Sequence, residues 1–472
     1  MANYDRFDDD DVPPLPNDRS DDEVQRFRDS LKSGARDINN PEALEEIIQF
    51  YYEHEKFEEA LYYADRLISF EPYNSDAWQR KGMILNNLSK YEEALACFEK
   101  AISYNPTDPE IFINRGITLD NLNKVEESME SFEEALRLDP SNEDALFHKA
   151  VTLEKQENFE QAVVVFKHIL TENAEHRDAW YELGYCYDFL DKLEDSIRCY
   201  KEHLDRDPYN YNAWYNKGIV LNRMGDYTKS IDSYEMALAI KEDFPSAWYN
   251  MGNAYANLGR VPDAIKCYKT TLKYDPDDVP ALHNLGNAYE ELGENEKAIG
   301  YFTQAIKRDK AHYESYFGRG CCYDALNQTK KALNDYKRAL ALCKDYPELW
   351  YAKADAEYNL GGFQESVSSY RMVVKLDPKN AEAWYDLGDT LRELNRFDEG
   401  LKSINESISL LPNFGPSHYC RGRILLELND TRGAKDAFEA AFQFDPDLKK
   451  EFEKDYPETG AFRFFFRLFK SK

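Results

Sequence analysis

Residues 245–278 read PSAWYNMGNAYANLGRVPDAIKCYKTTLKYDPDD, and the next 34, residues 279–312, read VPALHNLGNAYEELGENEKAIGYFTQAIKRDKAH. Laid one on the other, both carry Gly at the eighth place, Ala at the twentieth and a ring at the twenty-fourth. The same register runs outward in both directions. Asp76-Ala77-Trp78, Asp178-Ala179-Trp180, Asn212-Ala213-Trp214, Ser246-Ala247-Trp248 and Glu382-Ala383-Trp384 stand multiples of 34 apart. Twelve repeats follow, starting at 41, 75, 109, 143, 177, 211, 245, 279, 313, 347, 381 and 415, with no insertion or deletion between Pro41 and Leu448. Self-similarity at a fixed period of this length is the mark of a repeat architecture.

Each recurring residue has a physical reason. All six Trp fall at position four. Position eight is Gly in nine repeats, and a mid-helix Gly costs about 1 kcal/mol against Ala, so nine of them imply a packing return. Position twenty is always small, from Ala60 to Ala434. Small residues at eight and twenty let two helices approach closely. Large residues at four and twenty-four, the latter aromatic in ten repeats, are expected to fill the space between one hairpin and the next. Pro at position thirty-two, as in Pro72, Pro140, Pro276 and Pro446, stops the second helix.

The pattern W-x2-[LKM]-G-x2-[YL], then A-x3-[FY], then P, at 34 residues resembles the tetratricopeptide repeat (TPR) family over about 408 of the 472 residues. The resemblance implies an all-α fold, a right-handed TPR superhelical solenoid of antiparallel helix pairs. Repeat four departs with Ala150, Ile169 and Ala174, and repeat one with Leu44 and Ala64. They read as an irregular joint and an N-terminal capping repeat.

The ends differ from the array. Residues 1–19 are acidic and Pro-rich and read as a disordered tail. Ser20-Asp21-Asp22-Glu23 forms a capping box, and Val24, Phe27 and Leu31 follow at helical spacing, so residues 20–40 read as a capping helix. Residues 449–472 read as a short capping helix containing Phe452, then a cationic Phe-rich tail. In that tail Arg463, Arg467 and Lys470 would share one helical stripe, beside Phe462, Phe465, Phe466 and Phe469. The tail admits three readings: a plug on the last hairpin, a peripheral membrane contact, or a segment that docks into an acidic groove, its own or that of a second copy in an oligomer.

Composition narrows the function classes. Acids outnumber bases by 89 to 59, a net charge of −30, and no basic run interrupts the array, so nucleic acid is not the expected partner. No basic–apolar leader opens the chain and no stretch of about eighteen apolar residues occurs, which gives a cytoplasmic protein as the expectation. The eight Cys read as reduced thiols. Cys97, Cys199 and Cys267 share position twenty-three, and such recurrence points to packing rather than metal or redox work. No catalytic motif stands out, and Gly318-Arg319-Gly320 is explained by its repeat register. An enzyme is not expected, nor a cofactor or a metal site.

What remains is binding to other proteins or peptides. The TPR resemblance implies that positions 2, 5, 6, 9 and 12 of the first helices face a concave groove. Position five carries Phe147, Tyr181, Tyr215, Tyr249, His283, Tyr351 and Tyr385. Positions six and nine add Asn216, Asn250, Asn253, Asn284 and Asn287, with Tyr185 also at nine. An amide offers both a donor and an acceptor, so a row of them could pair with the backbone of an extended peptide; equally, these residues could follow family habit. Asp355, Asp389 and Arg423 replace the usual Asn at position nine, and Asp120, Glu154, Asp188, Glu290 and Asp324 put acids at position twelve. The groove therefore reads as acidic, suited to a basic or amphipathic segment. Acids at position two, such as Asp76 and Glu348, only complement the helix dipole. A basic clamp for a C-terminal carboxylate is not expected, since Arg80 alone fits its pattern.

Overall fold

A computed structural model of the chain describes residues 40–456. Among them are twenty-five helices and no strand. First helices begin at Pro41, Ser75, Pro109, Glu143, Arg177, Tyr211, Pro245, Val279, Tyr313, Pro347, Ala381 and Gly415, always 34 residues apart. Each is followed by a second helix, from Phe57–Phe70 to Thr431–Phe444. The expected acidic tail, all of the expected N-terminal cap except Asn40, and Phe462, Arg463, Phe465, Phe466, Arg467, Phe469 and Lys470 lie outside the described residues.

Local chemistry sets the helix ends. Asn74, Asp108, Asn142, Asn210, Asp278 and Asn380 cap first helices by accepting backbone N–H bonds through their side chains. In repeats five and nine a histidine takes that place, His176 Nδ1 accepting from the N–H of Ala179 at 3.1 Å and His312 Nδ1 from that of Ser315 at 3.2 Å. The turn between the two helices has one residue at positive φ in every repeat, always at position fifteen. Gly225, Gly259, Gly293 and Gly361 meet that demand without a Cβ, whereas Glu55, Ser89, Glu157 and Asp191 meet it against their preference.

The chain divides into two compact units at Met224/Gly225, inside the turn of repeat six. Within each unit, a second helix packs on its own first helix and on the first helix of the following repeat. The ring at position twenty-four is the centre of this contact. Phe98, Phe132, Phe166 and Tyr200 in the first unit, and Tyr234, Phe302, Tyr336 and Phe438 in the second, are almost wholly buried. Sequence placed these rings between hairpins, but they serve both sides. Phe302 lies against Gly286 of its own repeat and also against Gly318 at position six of the next. Where position twenty-four is Ala64, position eight is Ile48, so the large and small partners are exchanged and both remain buried.

Position four does more than fill space. The tryptophans are half-buried, and Trp78, Trp180, Trp214, Trp350 and Trp384 pack against the core clusters. Each indole N–H donates to the carbonyl six residues earlier, as Trp78 does to Pro72 at 3.0 Å and Trp350 to Lys344 at 2.8 Å. His418 does the same work in repeat twelve, with its Nε2 2.8 Å from the carbonyl of Pro412. These contacts fasten the turn between repeats to the helix that follows. After repeat twelve, the helix Leu448–Asp455 lays Phe452 on Phe438 and Phe442, at ring distances of 4.8 and 5.5 Å.

Candidate functional site

Stacking repeats of equal length brings residues 35 apart into contact, position five of one first helix beside position six of the next. Asn216 donates to the Tyr181 hydroxyl at 2.9 Å, and Asn284 to the Tyr249 hydroxyl at 3.1 Å. Asn284 also donates to Asn253 Oδ1 at 2.9 Å, and the same oxygen accepts from Tyr268 at 2.8 Å. Asn287 reaches His283 Nε2 at 3.0 Å, while His283 Nδ1 lies 3.2 Å from Ser315 Oγ. Burial and then the neighbouring His312 lower the His283 pKa to about 4. Tyr215 and Asn250 are engaged as well.

Each of these amides has a partner within the chain. The amides are not a row of free donors and acceptors; most hold adjacent first helices together. Their chemistry was legible in sequence, but their partner was not, because it stands 35 residues away in a neighbouring repeat. Of the other ring residues, Phe147 stacks on His176 at 5.1 Å, Tyr185 lies tilted against Phe189 at 4.8 Å, and Tyr385 meets Phe414 edge-on at 5.5 Å. Asn287 is exposed.

The carboxylates divide into two sets. In the first unit, Asp120 pairs with Lys155 and Asp188 with Arg223, again 35 residues on, and Arg223 also holds Asp191 at 2.8 Å. Their charge is therefore answered within the chain. Among the described residues, no Lys or Arg forms an ion pair with Glu154. It lies with Glu182 and 3.7 Å from Cys186 Sγ, and burial raises both carboxyls, with mutual repulsion raising Glu182 further.

In the second unit the pattern changes. Asp324 accepts from the Tyr336 hydroxyl at 2.9 Å, Asp355 from Tyr370 and Asp386 from Tyr351. These donors are neutral, and among the described residues no Lys or Arg forms an ion pair with any of the three acids. Burial pushes each carboxyl up, Asp386 to about 6. Repulsion from Asp324 adds to the rise at Asp355, and from Asp355 to that at Asp386. Asp389 is different, since Arg392 holds it at 2.9 Å and the Cys420 thiol lies 3.3 Å away. Arg423 lies beside the Tyr456 hydroxyl. Asp386 stands at position six, outside positions two, nine and twelve, where the sequence reading placed the acids.

Models of the tetratricopeptide repeat match residues 75–108, 97–130, 147–210, 245–278, 279–312 and 351–413, and a TPR repeat model matches residues 220–259 and 322–361. Together they span more than half of the chain. The chain belongs to the tetratricopeptide repeat family. Members of this family are protein–protein interaction scaffolds, and that coarse function holds for this TPR chain. Curated proteins give no match. Among solved structures, the C-terminal part of a TPR repeat-containing protein from Cytophaga hutchinsonii is 20% identical, with a TM-score of 0.45, covering 51% of this chain and 99% of that one. The APC/C hetero-tetramer Cut9-Hcn1 is 15% identical, with a TM-score of 0.39, over 86% of this chain and 94% of its own. YrrB, described as a TPR protein with an unusual peptide-binding site, is 19% identical at a TM-score of 0.37, over 38% and 93%.

The thiols of Cys97, Cys199 and Cys267 are buried, and burial pushes them up to about 11, 12 and 12. Among the described residues, no cluster of three or more His, Cys, Asp or Glu is arranged to hold a metal. No described helix is long and apolar enough to cross a membrane.

Proposed function

We propose that this TPR chain takes a cationic or amphipathic segment of a partner protein along its first helices, with the strongest contact on repeats nine to eleven. One observation carries the reading: Asp324, Asp355 and Asp386 stand in three successive repeats, half-buried, held by neutral hydroxyls and, among the described residues, paired with no Lys or Arg. A carboxylate withdrawn from water and left without a counter-charge interacts more strongly with an arriving cation than one on an open surface. The ring residues Tyr351 and Tyr385 and the exposed Asn287 supply apolar and polar contacts on the same first-helix positions.

A fluorescein-labelled peptide of alternating Lys and Leu tests the reading by anisotropy, with a Glu/Leu peptide as control. Asp355→Asn with Asp386→Asn keeps an acceptor for each tyrosine hydroxyl and removes two charges. The affinity for the Lys peptide should fall at least about tenfold, roughly 1.4 kcal/mol. Native binding should also weaken as pH drops through about 6, where Asp386 takes up a proton. Equal affinity of native and double variant would reject the acidic face as the contact.

A further inference from the structure

Ten of the eleven junctions between successive repeats place a cation at position seven of one repeat or position twenty-five of the repeat before it. The stacking brings these two positions side by side. Lys81 meets Asp65 at 2.6 Å, Arg115 meets Glu99 at 2.8 Å and Lys149 meets Glu133 at 3.1 Å. Where position seven is Leu183 or Leu285, position twenty-five supplies the cation instead. Lys167 then lies 5.5 Å from the Tyr187 ring, and Lys269 lies 5.5 Å from that of Tyr289. The junction of repeats six and seven is the exception. Its residues are Glu235 and Met251, an acid of the kind that receives a cation elsewhere and no cation.

The space is open at that junction. A cavity of about 320 Å³ lies between the second helix of repeat six, Tyr227–Ile240, and the two helices of repeat seven, Pro245–Asn257 and Val261–Tyr274. All three helices belong to the second unit. Trp248, Met251 and Tyr255 give the cavity an apolar and aromatic wall, and Glu235 gives it an acid. Asp263 and Lys266 also line it. Asp263 is already held by Arg260 at 2.7 Å. No ion pair joins Lys266 to Glu235, and among the described residues none engages Glu235 at all. The rings agree. Tyr187 carries two ammonium groups, Lys167 and Lys192, and Tyr289 carries Lys269 and Lys297. Tyr255 carries Arg260 at 4.6 Å and, among the described residues, no second cation.

We infer that this cavity receives one lysine or arginine side chain of a partner protein, which completes the junction as Lys81 does with Asp65. The aliphatic stem lies along Met251 and Trp248, the charge reaches Glu235, and the Tyr255 ring adds a cation–π contact. The inference uses none of the carboxylates of repeats nine to eleven.

The full-length protein labelled with 5-fluorotryptophan provides the test, since its six Trp give six ¹⁹F signals and Trp248→Phe assigns the one in the cavity. The probes are acetyl-Ala-Ala-Lys-Ala-Ala-amide and the same peptide with norleucine for lysine. The lysine peptide should shift the Trp248 signal saturably, and the norleucine peptide should bind at least fivefold more weakly. Glu235→Gln should abolish the difference between them. Met251→Lys should abolish the shift, because it supplies the cation from within, as position seven does in repeats two, four, six and ten. The other five signals report that each variant keeps its fold. No saturable shift, equal binding of the two peptides, or undiminished binding to Glu235→Gln overturns the inference. So does a shift seen only after Lys266→Ala, because Lys266 would then be the resident cation.

Discussion

Gly286 shows how little room a single position can leave. A Cβ added there would lie 2.6 Å from Cε1 of Phe302, whereas one added at Gly300 would meet nothing within 4 Å. Both glycines stand inside helices. Gly286→Val should therefore destabilise the protein by about 1–3 kcal/mol through overpacking, and Gly300→Ala should stabilise it by up to about 1 kcal/mol through helix propensity. Denaturation in urea reads both, and a similar effect of the two changes would contradict the packing assigned to position eight. His283 makes a second claim at this scale. Its folded pKa, about 4, lies below the 6.5 of an ordinary histidine. The unfolded chain thus takes up a proton that the folded chain refuses as pH falls from about 6.5 to about 4. Stability contributed by neutral His283 is present above that window and lost across it, by about 3 kcal/mol. His283→Phe, the residue type found at position five in Phe147 and Phe317, should flatten the stability profile over that window. An unchanged profile would show that His283 is not the group responsible.

The element that recurs is the helix–turn–helix pair, and its turn holds a conflict that sequence did not reveal. Position fifteen adopts positive φ in every repeat, and in repeat four the residue there is Glu157, at φ 59°. Left-handed backbone costs an L-residue about 1–2 kcal/mol, part of which Gly loses again to its unfolded-state freedom. Glu157→Gly should raise stability by about 0.5–1 kcal/mol, seen as a higher urea midpoint at unchanged slope. A lower midpoint would mean that the glutamate side chain holds the turn. The same element gives the tryptophans a second task. A large apolar residue at a fixed place suggests filling, and five of the six do pack on the core, but only the carbonyl six residues back reveals that the indole N–H is used as well.

Across the whole molecule, the repeat register was fully legible, because Trp, Gly and small residues fall at fixed places in a chain without insertions. The rings at position twenty-four were legible as core for the same reason. The site was legible only in part. Asn216, Asn284 and Asp120 were visible as polar residues on the expected positions, yet their partners Tyr181, Tyr249 and Lys155 lie 35 residues away. A one-dimensional reading of each repeat by itself cannot separate a free amide from one that ties two repeats together. Asp386 and the Glu235/Met251 junction emerge only when neighbouring repeats are read against each other. The division at Met224/Gly225 likewise falls inside a repeat whose sequence is regular.

The central claim is that partners are held on the first-helix face. The most direct measurement places a photo-crosslinking benzoylphenylalanine at Asn287, exposed at position nine, and in a second variant at Lys307, exposed on the second helix of the same repeat. Both variants are then irradiated in the cells that make the protein. The account predicts a reproducible protein adduct from position 287 that is absent from position 307 and is lost when Asp355→Asn and Asp386→Asn are added. An adduct from position 307 alone, or one from 287 that survives the loss of both charges, would contradict it.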